Sequence, residues 1–422
     1  MMRVLYDISV LGKSIECNRA RTGIFRVVEN VAAGLAADPT VEINFCAMEN
    51  RLTSYQYLKM HPLFYETSFS FSTLQQLYMG IERLKDVVSH KARQTRSSAR
   101  MPLKITAEML RFLMRLTRSN AQICNLKGMD IYHSPFLPIP PEVKRSKKVK
   151  KFLTVYDLIP LMRPEFFEYK EDHLLTKVVN SIDCETRILA ISHSTKNDLC
   201  AYIPGLDPDQ VTVTHLAASS LFYPVSDKAA RSSVLEKYSI PPKPYVLSLS
   251  TLEPRKNIDH TIRCFFRLMQ EEKITDLNLV LVGSKGWDYD KIFAELARHD
   301  FSRERVIVTG YVADEDLAAL YSGAIAFVYP SLYEGFGLPP LEAMQCGVPV
   351  ITSNTSSLPE VVGDSGILVD PRDADALCAA MLSLYKDSDR REMLAQSALQ
   401  RAAEFSWKRC VDETVRAYKN SL

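Results

Sequence analysis

Short apolar runs alternate with helical patterns along this 422-residue chain, in two series separated by a proline-rich break. A short apolar run bounded by turn residues and followed by a 3.6-residue periodicity is the mark of a parallel sheet whose crossovers are helices. The first series predicts strands at residues 4–8 and 41–47 around a helix at 25–36, then strands at 130–133, 152–156, 188–192 and 211–216. From about 55 to 118 the rhythm gives way to long helical stretches rich in Leu, Met, Lys and Arg, which read as a helical insertion. Pro224, Pro241, Pro242 and Pro244 mark 222–244 as a linker. The second series predicts strands at 245–250, 277–283, 306–310, 326–329 and 348–352, with closing helices at 393–405 and 407–418. The fold class is therefore α/β, with two doubly wound Rossmann-like domains at 1–225 and 226–404 and a terminal segment at 405–422.

Composition agrees with two packed cores, at 46% hydrophobic and 24% charged residues. A formal charge of only +2 gives no reason to expect a nucleic-acid partner. The nine cysteines form no CxxC pair and are odd in number, which predicts reduced thiols in the cytoplasm and neither a zinc site nor a disulfide framework. The opening MMRVLYDISV suits a buried strand better than a signal peptide, and no apolar run is long enough to span a bilayer. Neither GxxxxGK[ST] nor a GxGxxG after the first strand is present, so a P-loop NTPase and a nicotinamide enzyme are both disfavoured.

Nine of the fifteen glycines lie between Gly283 and Gly366, which makes the second domain the place to look for a nucleotide. Within it, YEGFGLPPLEAM at 333–344 sets Gly335 and Gly337 around Phe336 just before Pro339 and Pro340. Proline suits the first turn of a helix, whose free N–H groups attract an anion such as phosphate. Glu334 before the turn and Glu342 inside the helix place two carboxylates at opposite edges of one pocket, where acceptor oxygens suit ribose and hexose hydroxyls. Arg255 and Lys256, ahead of Asn257 as the expected cap of the next helix, stand where cations can neutralise a departing diphosphate.

The glutamate segment resembles the signature of the retaining family-four glycosyltransferases of the GT-B fold. The resemblance runs in order through RTGIFRVVENV, DIYHSPFLPIP, TVYDLIPLMRPEFF, ILAISHSTKNDL, YVLSLSTLEPRKN, VTGYVADEDLAALY and SSLPEVVGDSGILVDP. It implies that the domains face each other across a cleft, with the last helix returning to the first. Carried over by matching residues, Glu342 holds the nucleotide ribose, Glu334 faces the donor sugar, and Arg255 and Lys256 bind the diphosphate. The amides around Gly335, Phe336, Gly337 and Leu338 meet sugar and phosphate, and the base lies against Gly310, Tyr311 and Val312. Arg21, Thr22 and Gly23 form a loop near donor and acceptor, with His133 and His193 at strand ends on the acceptor side. In TVYDLIP, Tyr156 stands where related enzymes often carry histidine. A phenol is a poor base at neutral pH, so a catalytic histidine is not assumed there and Asp157 is the candidate to orient acceptor or sugar.

The resemblance further implies transfer of a hexose with retention and without metal or cofactor. GDP-mannose is the first expectation for the donor, and a UDP- or dTDP-sugar is the alternative. The expected acceptor is a glycan or lipid-linked saccharide of surface-polysaccharide assembly. A GT-B sugar-nucleotide epimerase and a non-catalytic nucleotide-sugar binder use the same donor pocket and stay open as rivals. Finally, residues 81–118 hold ten Lys or Arg and three acids beside an apolar cluster, and 144–151 add six basic residues. Basic amphipathic helices bind anionic headgroups, so a peripheral position on the inner face of the cytoplasmic membrane is expected.

Overall fold

The computed structural model describes residues 1–16, 23–70, 73–94, 100–117, 125–167, 174–284, 286 and 303–422. Arg21 and Thr22 lie outside the described residues. The first sheet comprises β1 (Met2–Asp7), β2 (Val41–Cys46), β3 (Ser68–Phe69), β4 (Ile131–Ser134), β5 (Lys150–Val155), β6 (Thr186–Ala190) and β7 (Val211–Val213). The second comprises β8 (Tyr245–Leu249), β9 (Asn278–Val282), β10 (Val306–Gly310), β11 (Ala326–Tyr329), β12 (Val350–Ser353) and β13 (Ile367–Val369). Their orders are β3-β2-β1-β4-β5-β6-β7 and β10-β9-β8-β11-β12-β13, parallel throughout. Both sheets reverse direction of winding once, next to β1 and next to β8, and a doubly wound sheet opens its ligand crevice at that point, beyond the strand C-termini.

Burial on both faces explains why the strands read as continuous apolar runs. Val4, Leu5, Val246, Leu279, Val280, Phe327 and Val328 have no exposed surface. The helix Gly23–Ala37 covers the first sheet with Phe25, Val27, Val28, Val31, Ala32 and Leu35, a helical spacing in which each large side chain contributes roughly 1.5–3 kcal/mol by leaving water. The last helix, Trp407–Ser421, is capped by Ser406 and packs on Gly23–Ala37. Its Tyr418 ring meets Phe152 of β5 at 4.7 Å between centroids, so the chain ends against the first domain.

Three elements differ from the sequence expectation. The insertion is not wholly helical: between the helices Arg51–Met60 and Thr73–Gln94 the chain adds β3 to the sheet edge beside β2. The expected linker holds the helix Lys228–Lys237, started by the Asp227 side chain, which accepts from the Ala229 N–H. Prolines on both sides hid a helix of ordinary composition. The three-residue edge strand β13 was too short to show a period.

The helices Thr73–Gln94 and Arg100–Thr117 pack along each other. Ala107 and Leu110 are buried, while Met101, Ile105, Met109, Phe112 and Leu113 are exposed. Lys151, counted above in the basic stretch, is not a surface charge: it lies within β5, buried, with its ammonium on Glu185. Among the described residues no helix is long and apolar enough to cross a membrane.

Candidate active site

A cavity of about 770 Å³ lies between the two domains, within the range of small-molecule sites. The first domain contributes Gly23, Arg26, Tyr156 and Asp157, and the second contributes the loops that follow β8, β10 and β11. Residues 250–256 and 331–337 thus leave adjacent strands at the switch point, which is why two stretches some 75 residues apart meet.

At one end is a buried ion cluster. Lys256 Nζ is 2.6 Å from Glu334 Oε1 and donates to the Tyr329 hydroxyl at 2.7 Å. Arg255 Nη1 reaches Glu334 Oε2 at 2.8 Å and the Tyr333 carbonyl at 2.7 Å, while Nη2 meets Glu253 at 2.8 Å. Tyr329 and Ser331 hydroxyls donate to Glu334 Oε1 at 2.8 and 2.6 Å. Burial alone would raise the Glu334 carboxyl, but Lys256 and Arg255 overcome it and hold the group at about 2. Burial lowers Lys256 against the pull of Glu334. Arg255 Nε and Ser250 Oγ, both in cleft-lining residues, are buried with no hydrogen-bond partner among the described residues.

The loop 333–337 has little freedom. Ser357 Oγ bonds the carbonyls of Glu334 and Phe336 at 3.0 and 2.7 Å, and from the other domain Ser192 Oγ and Thr195 Oγ1 bond that of Gly335 at 2.7 and 3.2 Å. A Cβ on Gly335 would stand 2.5 Å from the Tyr156 carbonyl oxygen, so only glycine lets the domains close here. Gly337 has φ 116° and starts the helix Leu338–Gln345; Pro339 and Pro340 follow, so of the first three helical residues only Leu338, which lines the cavity, carries an N–H.

Glu342 lies one turn into that helix and also lines the cavity. Tyr321 donates to its Oε2 at 3.3 Å, and Arg26 Nη1 is 3.9 Å from Oε1. Burial raises the carboxyl to about 7, with Arg26 and Tyr321 restraining the rise and Asp314 adding to it. Asp157 is also raised by burial, against a 3.0 Å bond from the Ile159 N–H and the attraction of Arg255.

The structure brings together Gly23, Tyr156, Asp157, Arg255, Lys256, Tyr311, Val312, Glu334, Gly335, Phe336, Gly337, Leu338 and Glu342 around one cavity. Gly310 stands just behind, its carbonyl accepting from the Gly283 N–H at 2.9 Å. His133 does not belong there. It is 1% exposed, held by the Tyr418 hydroxyl at 2.5 Å and by Thr154 at 2.8 Å, and burial depresses it to about 3, so it is a neutral core residue and not an acceptor contact. His193 is exposed at the domain junction beside His215 and Glu360, away from the cavity lining. The Tyr156 hydroxyl is buried without a described partner, and burial raises its pKa. Asn257 does not cap with its side chain: at φ 58° its Nδ2 ties the Pro330 and Pro371 carbonyls at 3.1 and 2.7 Å. Arg26, Glu253, Tyr321 and Tyr329 went unnoticed in the sequence because nothing local separates them from solvated or core positions.

Residues 233–401, which carry the ion cluster and both glutamates, match the family model described as glycosyl transferases group 1. O-antigen chain mannosyltransferase B of Escherichia coli is 38% identical over 290 residues, 68% of this chain and 74% of that protein. The chain belongs to the group 1 glycosyltransferases. The serotype-specific mannosyltransferase WbdA of E. coli is 33% identical over 61% of this chain, which spans only 32% of that longer protein. Sucrose-phosphate synthase from Thermosynechococcus elongatus superposes with TM-score 0.65 at 18% identity, covering 100% of this glycosyltransferase and 99% of that chain. HepE of Anabaena, solved with UDP and glucose, gives 0.63 at 16%, covering 99% and 98%. These two likenesses place the glycosyltransferase in the GT-B fold.

Proposed function

We propose that this glycosyltransferase moves mannose, with retention, from a nucleoside diphosphate to a hydroxyl of a growing surface polysaccharide. The observation that carries it is that the buried Arg255–Lys256–Glu334 cluster and the Glu342 carboxylate line one cavity. The relatives named as mannosyltransferases supply the sugar, and GDP-mannose is the donor of first choice.

In this arrangement the diphosphate lies between Arg255, Lys256 and the N-terminus of Leu338–Gln345, with the ribose on Glu342 and the base along Tyr311 and Val312. As the bond from C1 to the phosphate oxygen breaks, negative charge builds where the two cations and the helix N-terminus already stand, so stabilisation needs no reorganisation. Glu334 stays ionised through its ion pairs, which suits it to oppose the positive charge growing on the sugar and unsuits it as a proton donor. The acceptor hydroxyl attacks C1 on the face the phosphate leaves, and its proton passes to the departing phosphate oxygen. Asp157, beside Gly335, orients the acceptor or the sugar.

Supplied with GDP-mannose and a lipid-linked acceptor, the protein should release GDP and form an α-linked product. GDP should raise its melting temperature more than UDP or dTDP does, since a ligand of the native state stabilises by its affinity. Arg255→Ala and Lys256→Ala should each lower transfer at least about tenfold, because a charge-assisted contact contributes roughly 1.5–3 kcal/mol. Binding without release of diphosphate points to a non-catalytic binder, and conversion of the donor without acceptor points to an epimerase. Either result overturns the proposal.

We also propose that the helix pair Thr73–Gln94 and Arg100–Thr117 rests on an anionic membrane surface, where a lipid-linked acceptor resides. Support comes from the outward row of Met101, Ile105, Met109 and Phe112, with Lys104 along its border and Arg111 beside it in an ion pair with Glu108.

A further inference from the structure

Arg26 belongs to the first domain, yet its guanidinium sits among acids of the second. Its Nη2 donates to Asp314 Oδ2, and Nη1 is 3.9 Å from Glu342 Oε1. Its side chain is 27% exposed and lines the cavity, so it is neither a core residue nor a solvated one. It rises from the first turn of Gly23–Ala37, the element whose start abuts Leu338. Asp314 begins the helix Asp314–Gly323, directly after Tyr311 and Val312. One guanidinium therefore touches both second-domain segments that bracket the nucleoside end of the cavity.

We propose that Arg26 is a positioning residue for the donor, a cation lent by the acceptor-side domain that holds Glu342 ionised and aimed at the ribose hydroxyls. The proposal rests on the reading of Glu342 as the ribose ligand. An ionised carboxylate accepts from both ribose hydroxyls, whereas a protonated one gives up part of that capacity and presents a donor of its own. Among the described residues, the groups that set the charge of Glu342 are Arg26 from the first domain, Asp314 and Tyr321 from Asp314–Gly323, and Cys346 at the end of its own helix. Arg26 is the cation among them. Asp314, which repels the charge, is itself occupied by Arg26, so one side chain both attracts Glu342 and screens its neighbour. A lysine at 26 keeps the charge but loses the fork that spans two acids. Because the bridge crosses the cleft, it also couples closure of the domains to the state of the nucleoside pocket.

The test is calorimetric titration of GDP and of UDP into wild type, Arg26→Ala, Arg26→Lys and Glu342→Gln between pH 6 and 9, with melting temperatures taken alongside. Wild-type affinity is expected to climb as pH passes through about 7. In Arg26→Ala the midpoint of that climb should move up by about one pH unit, at the low end of what an opposite charge at this range does. Affinity at pH 7.5 should fall at least about threefold. Arg26→Lys should keep the wild-type midpoint to within a few tenths of a unit, which a merely structural role for the side chain does not require. Glu342→Gln should bind more weakly and without the climb. Wild-type affinity and profile in Arg26→Ala, with weak binding by Glu342→Gln, overturns the role of Arg26 and leaves the ribose reading standing. Wild-type binding by Glu342→Gln removes that reading and the proposal with it.

Discussion

Glu334 and Glu342 are eight residues apart in sequence and lie in opposite electrostatic surroundings. Both are buried, but Glu334 has two cations in contact and titrates at about 2, whereas Glu342 has one at longer range and titrates at about 7. The consequences for stability have opposite signs. Glu334, depressed from 4.5, stabilises the fold above that pH and loses the contribution as pH falls toward 2. Glu342, raised from 4.5 to about 7, is a neutral group forced to ionise: its contribution is intact below 4.5 and is lost as pH rises through 7. A rise of that size corresponds to roughly 3 kcal/mol, as an order of magnitude. Glu342→Gln, which keeps shape and removes the charge, should therefore make the ligand-free protein more stable than wild type at pH 8 and leave it equal near pH 4.5. Urea unfolding at the two pH values measures this, and an offset independent of pH contradicts the assignment of Glu342 as the strained carboxyl.

At the scale of elements, Arg100–Thr117 shows what periodicity conveys and what it omits. Leu103, Ala107 and Leu110 turn toward the protein, with Ala107 and Leu110 buried, while Met101, Ile105, Met109 and Phe112 form a second apolar stripe that faces out. The sequence shows only an apolar cluster beside positive charge, and packing decides which of its members are left over. Ile105 and Phe112 are 62% and 59% exposed. Burying such side chains in the acyl boundary contributes roughly 1.5–3 kcal/mol each. The intact protein should float with vesicles containing anionic lipid at low salt and much less with neutral ones. Replacing both Ile105 and Phe112 by Ser should cut the bound fraction about tenfold or more without lowering transfer to a soluble acceptor. Equal flotation of wild type and the double variant excludes this stripe as the contact, and failure of wild type to bind anionic vesicles ends the membrane proposal.

At the scale of the whole molecule, the domains are tied on both sides of the cleft. Arg26 makes one tie. On the other side Glu360 of the second domain accepts from the His193 N–H at 2.8 and 2.9 Å and from the Ser194 N–H at 3.4 Å, at the start of the helix His193–Tyr202. The His215 ring stands 2.6 Å from the same carboxylate. Burial raises Glu360, but the hydrogen bond with His215 first, and then those from the His193 and Ser194 N–H groups at the helix N-terminus, outweigh it and hold the carboxyl below its usual range. The adjoining Ser192 and Thr195 bonds to Gly335 make this tie continuous with the loop 333–337. Glu360→Ala should loosen the junction. Hydrogen bonds to a charged group contribute about 1.5–3 kcal/mol, so proteolysis in the connecting segment 222–244 should speed up roughly tenfold, and donor KM should rise. Unchanged proteolysis together with unchanged KM shows that the carboxylate does not restrain the domains.

Local sequence encodes the two α/β series, the helical nature of most of the insertion, and the turn at 333–340. These properties are encoded within a few residues: apolar runs, glycine and proline spacing at 335–340, a basic pair after a strand. It could not place His133, because a histidine at a strand end looks the same whether it faces a cleft or, as here, Tyr418 from an element 285 residues away. It could not reveal Arg26, whose partners lie 288 and 316 positions along the chain, nor remove Lys151 from the basic surface, since the β5 register and Glu185 do that. It also could not distinguish the two glutamates. Their charges depend on desolvation and on cations delivered by other strands and by the other domain, and those are long-range quantities that exist only once the chain has folded.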